Sequence, residues 1–352
     1  MIIMERREID SDSDYIKIVK ELTKNQTEIA REQSRLLNTL RENKNSSNSL
    51  SNYYQALFKE KDDMLKAIQE VSPVDLWGIN DKKEPQIPQY KFYYRGHYKS
   101  SYELMPSVFR DDNWDKEDYF YHEIMVHCPQ HFQYDSHLDK LVTMQHYDCP
   151  TRLLDVTSNP LVALYFACKN YGCKKCETSN EGEVLIFPVV SRDVVYSDSD
   201  RALMLSCLPR FTTKDKGTLF EITQKSLFDG KFKQVSGGSR YFDSIVERFY
   251  HEITTELPSF KRDIKPLDLL HPLFVQPNKT NGRILKQDGA FIINGLSTNG
   301  HEAKEKLRTL THASIKIHNQ KGILDELKSL GINEASLFPE VDKVAQYLKD
   351  CV

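Results

Sequence analysis

A chain of 352 residues carries 48 Lys and Arg against 51 Asp and Glu, and this net charge of −3 advertises no global basic surface for nucleic acid or membrane. The mean hydropathy is −0.57 and no apolar run approaches the roughly 20 residues that span a bilayer, which excludes an integral helical membrane protein. The opening MIIMERREIDSDSDY turns acidic before an apolar stretch can form, so no secretory signal is expected; seven thinly spread cysteines fit a reducing, cytoplasmic compartment better than a disulfide framework.

The length exceeds the roughly 250–300 residues at which single cores stop growing, so one large domain plus an appendage is expected. From Asp14 to Arg41 there is neither Gly nor Pro, and Ile16, Val19, Leu22, Ile29, Leu36, Leu37 and Leu40 recur at helical intervals. This amphipathic helix packs on its own domain or self-associates, although Gln26 and Gln33 interrupt a clean coiled-coil seam. The polar stretch Glu42 to Asn52 reads as a linker and sets a boundary between residues 1–52 and 53–352. The helical pattern resumes from Tyr53 to Glu70, and the aromatic run Phe92-Tyr93-Tyr94 predicts a strand. Trp114 to Lys140 reads as helix broken at Pro129. A helix end near Tyr147 and a turn at Cys149-Pro150 precede a buried helix starting at about Pro160. Strands are expected at Gly182 to Val190, Phe274 to Pro277 and Gly289 to Gly295, with a helix from Lys321 to Leu330. The mixture is α+β.

Cys168, Cys173 and Cys176 give C-x4-C-x2-C, but no second pair or close histidine completes a zinc set, and no metal is expected. His251-Glu252 lacks the second histidine of a zinc-protease helix, and neither a Walker loop nor GxGxxG is present. From Thr213 to Gln234, Lys214, Lys216, Lys225, Lys231 and Lys233 interleave with Phe220, Phe228 and Phe232. This is either a basic, aromatic groove for single-stranded nucleic acid or, since Asp215, Glu221 and Asp229 dilute the charge, a solvated helix face.

The more specific stretches are Tyr94-Arg95-Gly96, ending the aromatic strand, and MQHYDCPTRLLDVTSNPLVALYFA from Met144 to Ala167. Together with LMPSVFR (Leu104 to Arg110), NGRILKQDGAFIING (Asn281 to Gly295) and LKSLGINEASLFPEVD (Leu327 to Asp342), they resemble, in order, the stretches of the FRG domain, named for its Phe/Tyr-Arg-Gly motif. The resemblance covers roughly Leu65 to Leu348, so 53–352 is expected to be an FRG domain and the N-terminal helix to lie outside it.

Within that resemblance the motif order is similar to an ADP-ribosyltransferase core, which implies a split β-sheet with surrounding helices and NAD as substrate. Arg95 stands where a side chain at the end of an early strand holds the NAD phosphate or ribose, with Gly96 beside it. Asp155-Val156-Thr157-Ser158 and the helix after it are similar to the hydroxyl-bearing strand and Ala/Phe-rich helix that shape the nicotinamide pocket. Gln287-Asp288 on the late strand sits where an acid belongs, but the usual glutamate is not evident. Either Gln287 or Asp288 positions the acceptor, or Glu123 or Asp155 arrives from elsewhere, or the pocket binds a nucleotide without turnover. Departure of nicotinamide builds positive charge on the ribose, so the site must fix the dinucleotide and stabilise that charge. Arg95 would clamp phosphate as a planar fork. Tyr147, Tyr165 and Phe166 would stack on nicotinamide, and Thr157 would orient the ribose. His146 is a polar pocket residue.

Each residue also has a structural alternative. Arg95 and Asp155 can form a buried ion pair, Arg152 can pair with Asp155 three residues on, and His146 can be a satisfied core histidine. Tyr165-Phe166 can be core, Thr157 a strand-end cap, Gln287 and Asp288 a turn, and Gly96 and Gly289 backbone requirements. The expected activity is ADP-ribosyl transfer to a protein or to RNA or DNA, of toxin or phage-defence type, with a possible antitoxin. The alternatives are NAD glycohydrolysis and a non-catalytic nucleotide- or partner-binding module.

Overall fold

The computed structural model describes residues 5–24, 28–29, 52, 89–111, 113–133, 135–169, 181–227, 232, 240–279 and 281–350. In chain order, strand β1 (Glu5–Ile9) leads into helix α1 (Asp12–Lys24), and β2 (Tyr90–His97) carries the expected aromatic run. Helices α2 (Glu117–His127) and α3 (His137–His146) flank a turn at Pro129–His131, and α3 ends where Tyr147 caps it. Strand β3 (Leu153–Thr157), helix α4 (Pro160–Cys168) and strand β4 (Gly182–Val190) follow, then β5 (Val195–Tyr196), α5 (Asp200–Ser206), α6 (Thr213–Ser226), α7 (Arg240–Glu256) and α8 (Pro266–Leu270). The last third holds β6 (Leu273–Gln276), α9 (Gly282–Lys286), β7 (Gly289–Ile293), α10 (Gly300–Arg308), β8 (Ala313–Ile317), α11 (Gln320–Ser329), α12 (Glu334–Leu337) and α13 (Val341–Asp350). The fold is α+β, and no helix among the described residues is long and apolar enough to cross a membrane.

The strands form one sheet in the order β1-β8-β4-β2-β3-β7-β6-β5, with β1–β8 and β6–β5 parallel and the other pairs antiparallel. Strand β2 pairs with β4 from Tyr90 to His97, and β3 pairs with β7 from Leu153 to Thr157. Between β2 and β3, in contrast, the ladder closes only at Tyr94 and Thr157. Two four-strand halves therefore meet at a single residue pair and open beside it.

Period-two alternation sorts the buried side chains into layers. Tyr93, Leu185, Phe187, Leu154, Val156, Ala290, Ile292 and Phe274 share one core that runs across both halves, with Leu307 of α10 against it. On the other face the halves separate. Tyr94, Val184, Ile186, Ala313, Ile315 and Ile317 pack under α1, α4 and α11, whereas Leu153, Phe291, Ile293, Leu273 and Val275 pack against α3 and α5–α8. The divide between these two cores falls at the open ladder.

Strand β1 was not apparent in the sequence, because ERREI is short and mostly charged; it is an edge strand, and Ile9 is its buried residue among the described side chains. The expected N-terminal helix begins in α1, whose Tyr15, Val19 and Leu22 lie in the chain's own core. Its continuation beyond Lys24, save 28–29, the linker, the boundary at residue 52 and the helix from Tyr53 to Glu70 lie outside the described residues, apart from residue 52 itself. Strand β8 is also new, being short and flanked by polar residues.

Helix α4 is positioned by local chemistry. Asn159 caps it, accepting from the Leu161 N–H at 3.0 Å, and Pro160 opens it. It lies so close to the sheet that a Cβ on Gly96 would come 2.0 Å from the Ala163 carbonyl oxygen, and one on Gly182 2.3 Å from that of Ala167.

The segment leading into β3 is held by a buried ion cluster. The Arg152 Nε and Nη2 donate to Glu117 at 2.8 and 2.5 Å, Lys216 Nζ donates to the same carboxylate at 2.7 Å, and Arg152 Nη1 donates to the Asn294 carbonyl at 3.1 Å. Arg152 thus pairs with Glu117 and not with Asp155, because this segment is extended and the two side chains point to different places. Burial pushes the Glu117 carboxyl up, yet Arg152 and Lys216 outweigh it and hold it at about 2, below its ordinary 4.5.

Two predictions test this packing. Gly96→Ala should lower stability by about 1–3 kcal/mol or more, measured by denaturant unfolding, since α4 must lift from β2; an unchanged midpoint would contradict the contact. Glu117→Gln should cost about 3–5 kcal/mol by leaving two buried cations uncompensated. Because the folded pKa of Glu117 lies below the unfolded one, its contribution is complete above pH 4.5 and fades as pH falls toward about 2. Wild type should therefore lose stability across that window more steeply than Glu117→Gln, and parallel acid profiles would refute the assignment.

Candidate functional site

Where β2 and β3 diverge, the Arg95 guanidinium enters the gap. Its Nη1 donates to the Asp155 backbone carbonyl at 2.6 Å and its Nε to His97 Nε2 at 3.0 Å, so a side chain crosses where ladder hydrogen bonds would otherwise run. The Asp155 carboxylate lies 3.9 Å from Nη1 and accepts from Gln145 Nε2 at 2.8 Å. This is not the buried ion pair considered from sequence, because the Asp155 side chain is 57% exposed. Burial lowers the Arg95 pKa to about 10, which leaves the group charged at neutral pH.

The gap opens into a cavity of about 430 Å³. Strand β2 contributes Tyr94, Arg95 and Gly96, β3 contributes Asp155 and Thr157, α3 contributes Gln145 and His146, and α4 contributes Ala163 and Phe166. Arg110, Lys169, Arg283, Gln287 and Phe338 complete the wall. Of the residues singled out from sequence, Arg95, Gly96, His146, Asp155, Thr157, Phe166 and Gln287 thus converge.

Four others lie elsewhere. Tyr147 is 59% exposed and packs its ring on His131 and His146. Tyr165 points into the core beneath α4. Asp288 takes a left-handed φ of 47° in the turn before β7, where its carbonyl accepts from the Ser158 N–H at 3.1 Å and its carboxylate accepts from Asn159 Nδ2 at 3.3 Å. Glu123 faces His127 on its own helix at 3.3 Å.

Several converging groups are already engaged. The Thr157 hydroxyl donates to the Gln287 carbonyl at 2.6 Å and accepts from the Asn159 N–H at 3.0 Å, which joins the ends of β3 and α9. The Gln287 side chain donates to the Leu337 carbonyl at 3.0 Å. His146 Nδ1 lies 3.2 Å from Asn281 Nδ2 and its Nε2 3.8 Å from Glu340; burial and Arg283 lower its pKa. Cys149, also on the wall, has its thiol pKa raised by burial and is no ready nucleophile.

The cationic wall residues Arg110, Lys169 and Arg283, and the aromatic Phe338, had been given no role from sequence. Phe338 is flanked by Lys169 Nζ at 4.3 Å and the Arg283 guanidinium at 5.1 Å and meets Phe166 edge-on at 6.0 Å, while Arg283 Nε also donates to Glu340 at 2.9 Å. Arg110, Arg283 and Phe338 sit inside the stretches LMPSVFR, NGRILKQ and SLFPE, so the signal was present without a role attached.

The interleaved lysines and phenylalanines expected after Thr213 do not form an exposed stacking surface where described. Phe220 and Phe232 are core residues, Lys216 is buried against Glu117, and Lys214 lies over Tyr241. Phe228, Lys231, Lys233 and Gln234 lie outside the described residues, as do Cys173 and Cys176, whereas Cys168 is buried in the core.

Residues 90–175, a span that holds β2 through α4, match the family model of the FRG domain. The matched span includes Arg95, Arg110, His146, Asp155 and Phe166 of the cavity wall. No curated protein and no solved structure matches the chain.

Proposed function

We propose that this FRG-domain chain is an NAD-dependent ADP-ribosyltransferase modifying a macromolecule, protein or nucleic acid, in the manner of toxin or phage-defence enzymes of the cytoplasm. What supports it is the convergence of Arg95, Asp155 and Phe166 in one cavity at the place where the sheet splits. A cavity of about 430 Å³ falls in the size range of small-molecule and cofactor sites.

In that reading the diphosphate of NAD lies against Arg95, and an aromatic ring, Phe166, borders the base. The bond between C1′ of the ribose and the nicotinamide nitrogen breaks, and its electron pair leaves with neutral nicotinamide. A nucleophile of the acceptor forms the new bond to C1′ and gives up its proton. Asp155 is the acidic side chain of β3 that reaches the cavity, held by Gln145, and its carboxylate would stabilise the developing positive charge or take that proton. It replaces the acid sought near Gln287-Asp288, since Asp288 lies off the cavity wall.

One observation favours a second reading, a nucleotide-binding module without turnover. The Thr157 hydroxyl and the Gln287 amide are committed to structural hydrogen bonds.

Nicotinamide release from labelled NAD, with and without cell lysate, separates these readings. Transfer predicts label on a macromolecule in lysate, with Asp155→Asn slower by roughly a hundredfold or more at unchanged thermal stability. Release that needs no acceptor would indicate a glycohydrolase, and NAD binding without release a module. The absence of both NAD binding and nicotinamide release would overturn the proposal.

A further inference from the structure

Of the three guanidinium groups on the cavity wall, Arg283 is paired with Glu340 at 2.9 Å, whereas Arg95 and Arg110 lack a full complement of carboxylates. Arg110 follows the turn Ser107–Phe109, and its Nε and Nη2 donate to the Met105 carbonyl at 3.3 and 2.8 Å. Among the described residues no carboxylate lies at ion-pair distance from it. Arg110 lines the same cavity wall as Arg95, and its charge adds to burial in lowering the Arg95 pKa. The partial counter-charge is Asp155, which stands 3.9 Å from Arg95 and is drawn aside by Gln145. Like charges kept together in a half-buried cavity are costly and persist where an anion relieves them.

The orientation of Arg95 is also fixed from behind. By strand alternation Arg95 and His97 leave β2 on the same face, and His97 is 4% exposed. Its Nε2 accepts from Arg95 Nε, so the ring proton sits on Nδ1, a buried atom with no partner. Burial and the two arginines hold the imidazole neutral, with a pKa of about 3, so it stays an acceptor at neutral pH. With Nε on His97 and Nη1 on the Asp155 carbonyl, Nη2 is the remaining edge of the Arg95 fork.

We infer that Arg110 is the second prong of a diphosphate clamp with Arg95, and that His97 is the positioning residue that aims the Arg95 fork into the cavity. The proposal rests on reading the cavity as a dinucleotide site. Each arginine has two of its three nitrogens anchored on protein atoms, which leaves Arg95 Nη2 and Arg110 Nη1 for the ligand. A diphosphate offers oxygens on two phosphorus atoms and enough charge to neutralise both cations, whereas a single carboxylate does not.

The test is calorimetric titration of inorganic pyrophosphate and of ADP-ribose into the full chain and into Arg110→Gln, His97→Leu and His97→Gln, each checked for thermal stability. Wild type should bind both. Arg110→Gln and His97→Leu should weaken both by about tenfold or more. His97→Gln, whose amide oxygen can accept from Arg95 Nε, should recover most of the loss, and rescue of that kind separates positioning from mere packing. Should His97→Leu fail to fold, Arg110→Gln carries the test, because Arg110 is an exposed side chain. Wild-type affinity in Arg110→Gln, a His97→Gln variant as weak as His97→Leu, or a wild type that binds neither probe would overturn the clamp. The expected pattern in a protein that releases no nicotinamide would keep the clamp and discard the transferase. Nicotinamide release with unchanged KM in Arg110→Gln would do the reverse.

Discussion

The structure turns on one incomplete ladder. Strands β2 and β3 meet at Tyr94 and Thr157 and nowhere else, and the Arg95 guanidinium reaches the Asp155 carbonyl in the opening beside that pair. A backbone acceptor that the ladder would have satisfied is satisfied by a charged side chain, so the gap is tolerated and a cationic group is planted in it. The cavity, the separation of the two cores on one face and the placement of α4 all follow. Since both halves still share the core around Phe187 and Phe274 on the opposite face, the opening is a fixed feature of one sheet.

Around that opening, charge is managed in two ways. Behind the site, Glu117 is matched by Arg152 and Lys216 in a fully buried cluster that ties α2, α6, the lead into β3 and the end of β7 together. Such a cluster gives specificity of arrangement more than net stability, and here it fixes the strand that carries Asp155. Inside the site the balance is deliberately short. Arg95 and Arg110 face one partly withdrawn carboxylate, whereas the far wall, with Lys169, Arg283, Glu340 and Asp148, is closer to neutral. On the proposed reading, the diphosphate of a dinucleotide would lie at the β2 end and its neutral parts at the Phe166–Phe338 end.

Much of this was legible from local pattern. Strands β2, β4, β6 and β7 and helices α3 and α4 announced themselves through aromatic or β-branched runs and through Pro160 as a helix opener. Resemblance to the FRG stretches then brought Arg95, Asp155, Thr157, Phe166 and Gln287 into one list, and seven of the eleven named residues do line the cavity. What the sequence could not resolve was direction. Tyr165 and Phe166 are adjacent on α4, and only the packing against β2 decides that Phe166 faces the cavity. Asp288 and Asp155 are equally acidic, and only the left-handed turn at Asp288 removes it from the wall. Strand β1 was hidden by its charge, and the Glu117–Arg152 pair by a separation that no local pattern reports.

The most direct measurement is calorimetric titration of ADP-ribose into wild type and Arg95→Lys, since ADP-ribose carries the diphosphate but not the scissile nicotinamide bond. Lysine keeps the charge but cannot span the His97 nitrogen, the Asp155 carbonyl and a phosphate at once, so wild type should bind and Arg95→Lys should bind at least about tenfold more weakly at equal thermal stability. Equal affinity in the two proteins, or no binding by either, would contradict a dinucleotide site built on the opening between β2 and β3.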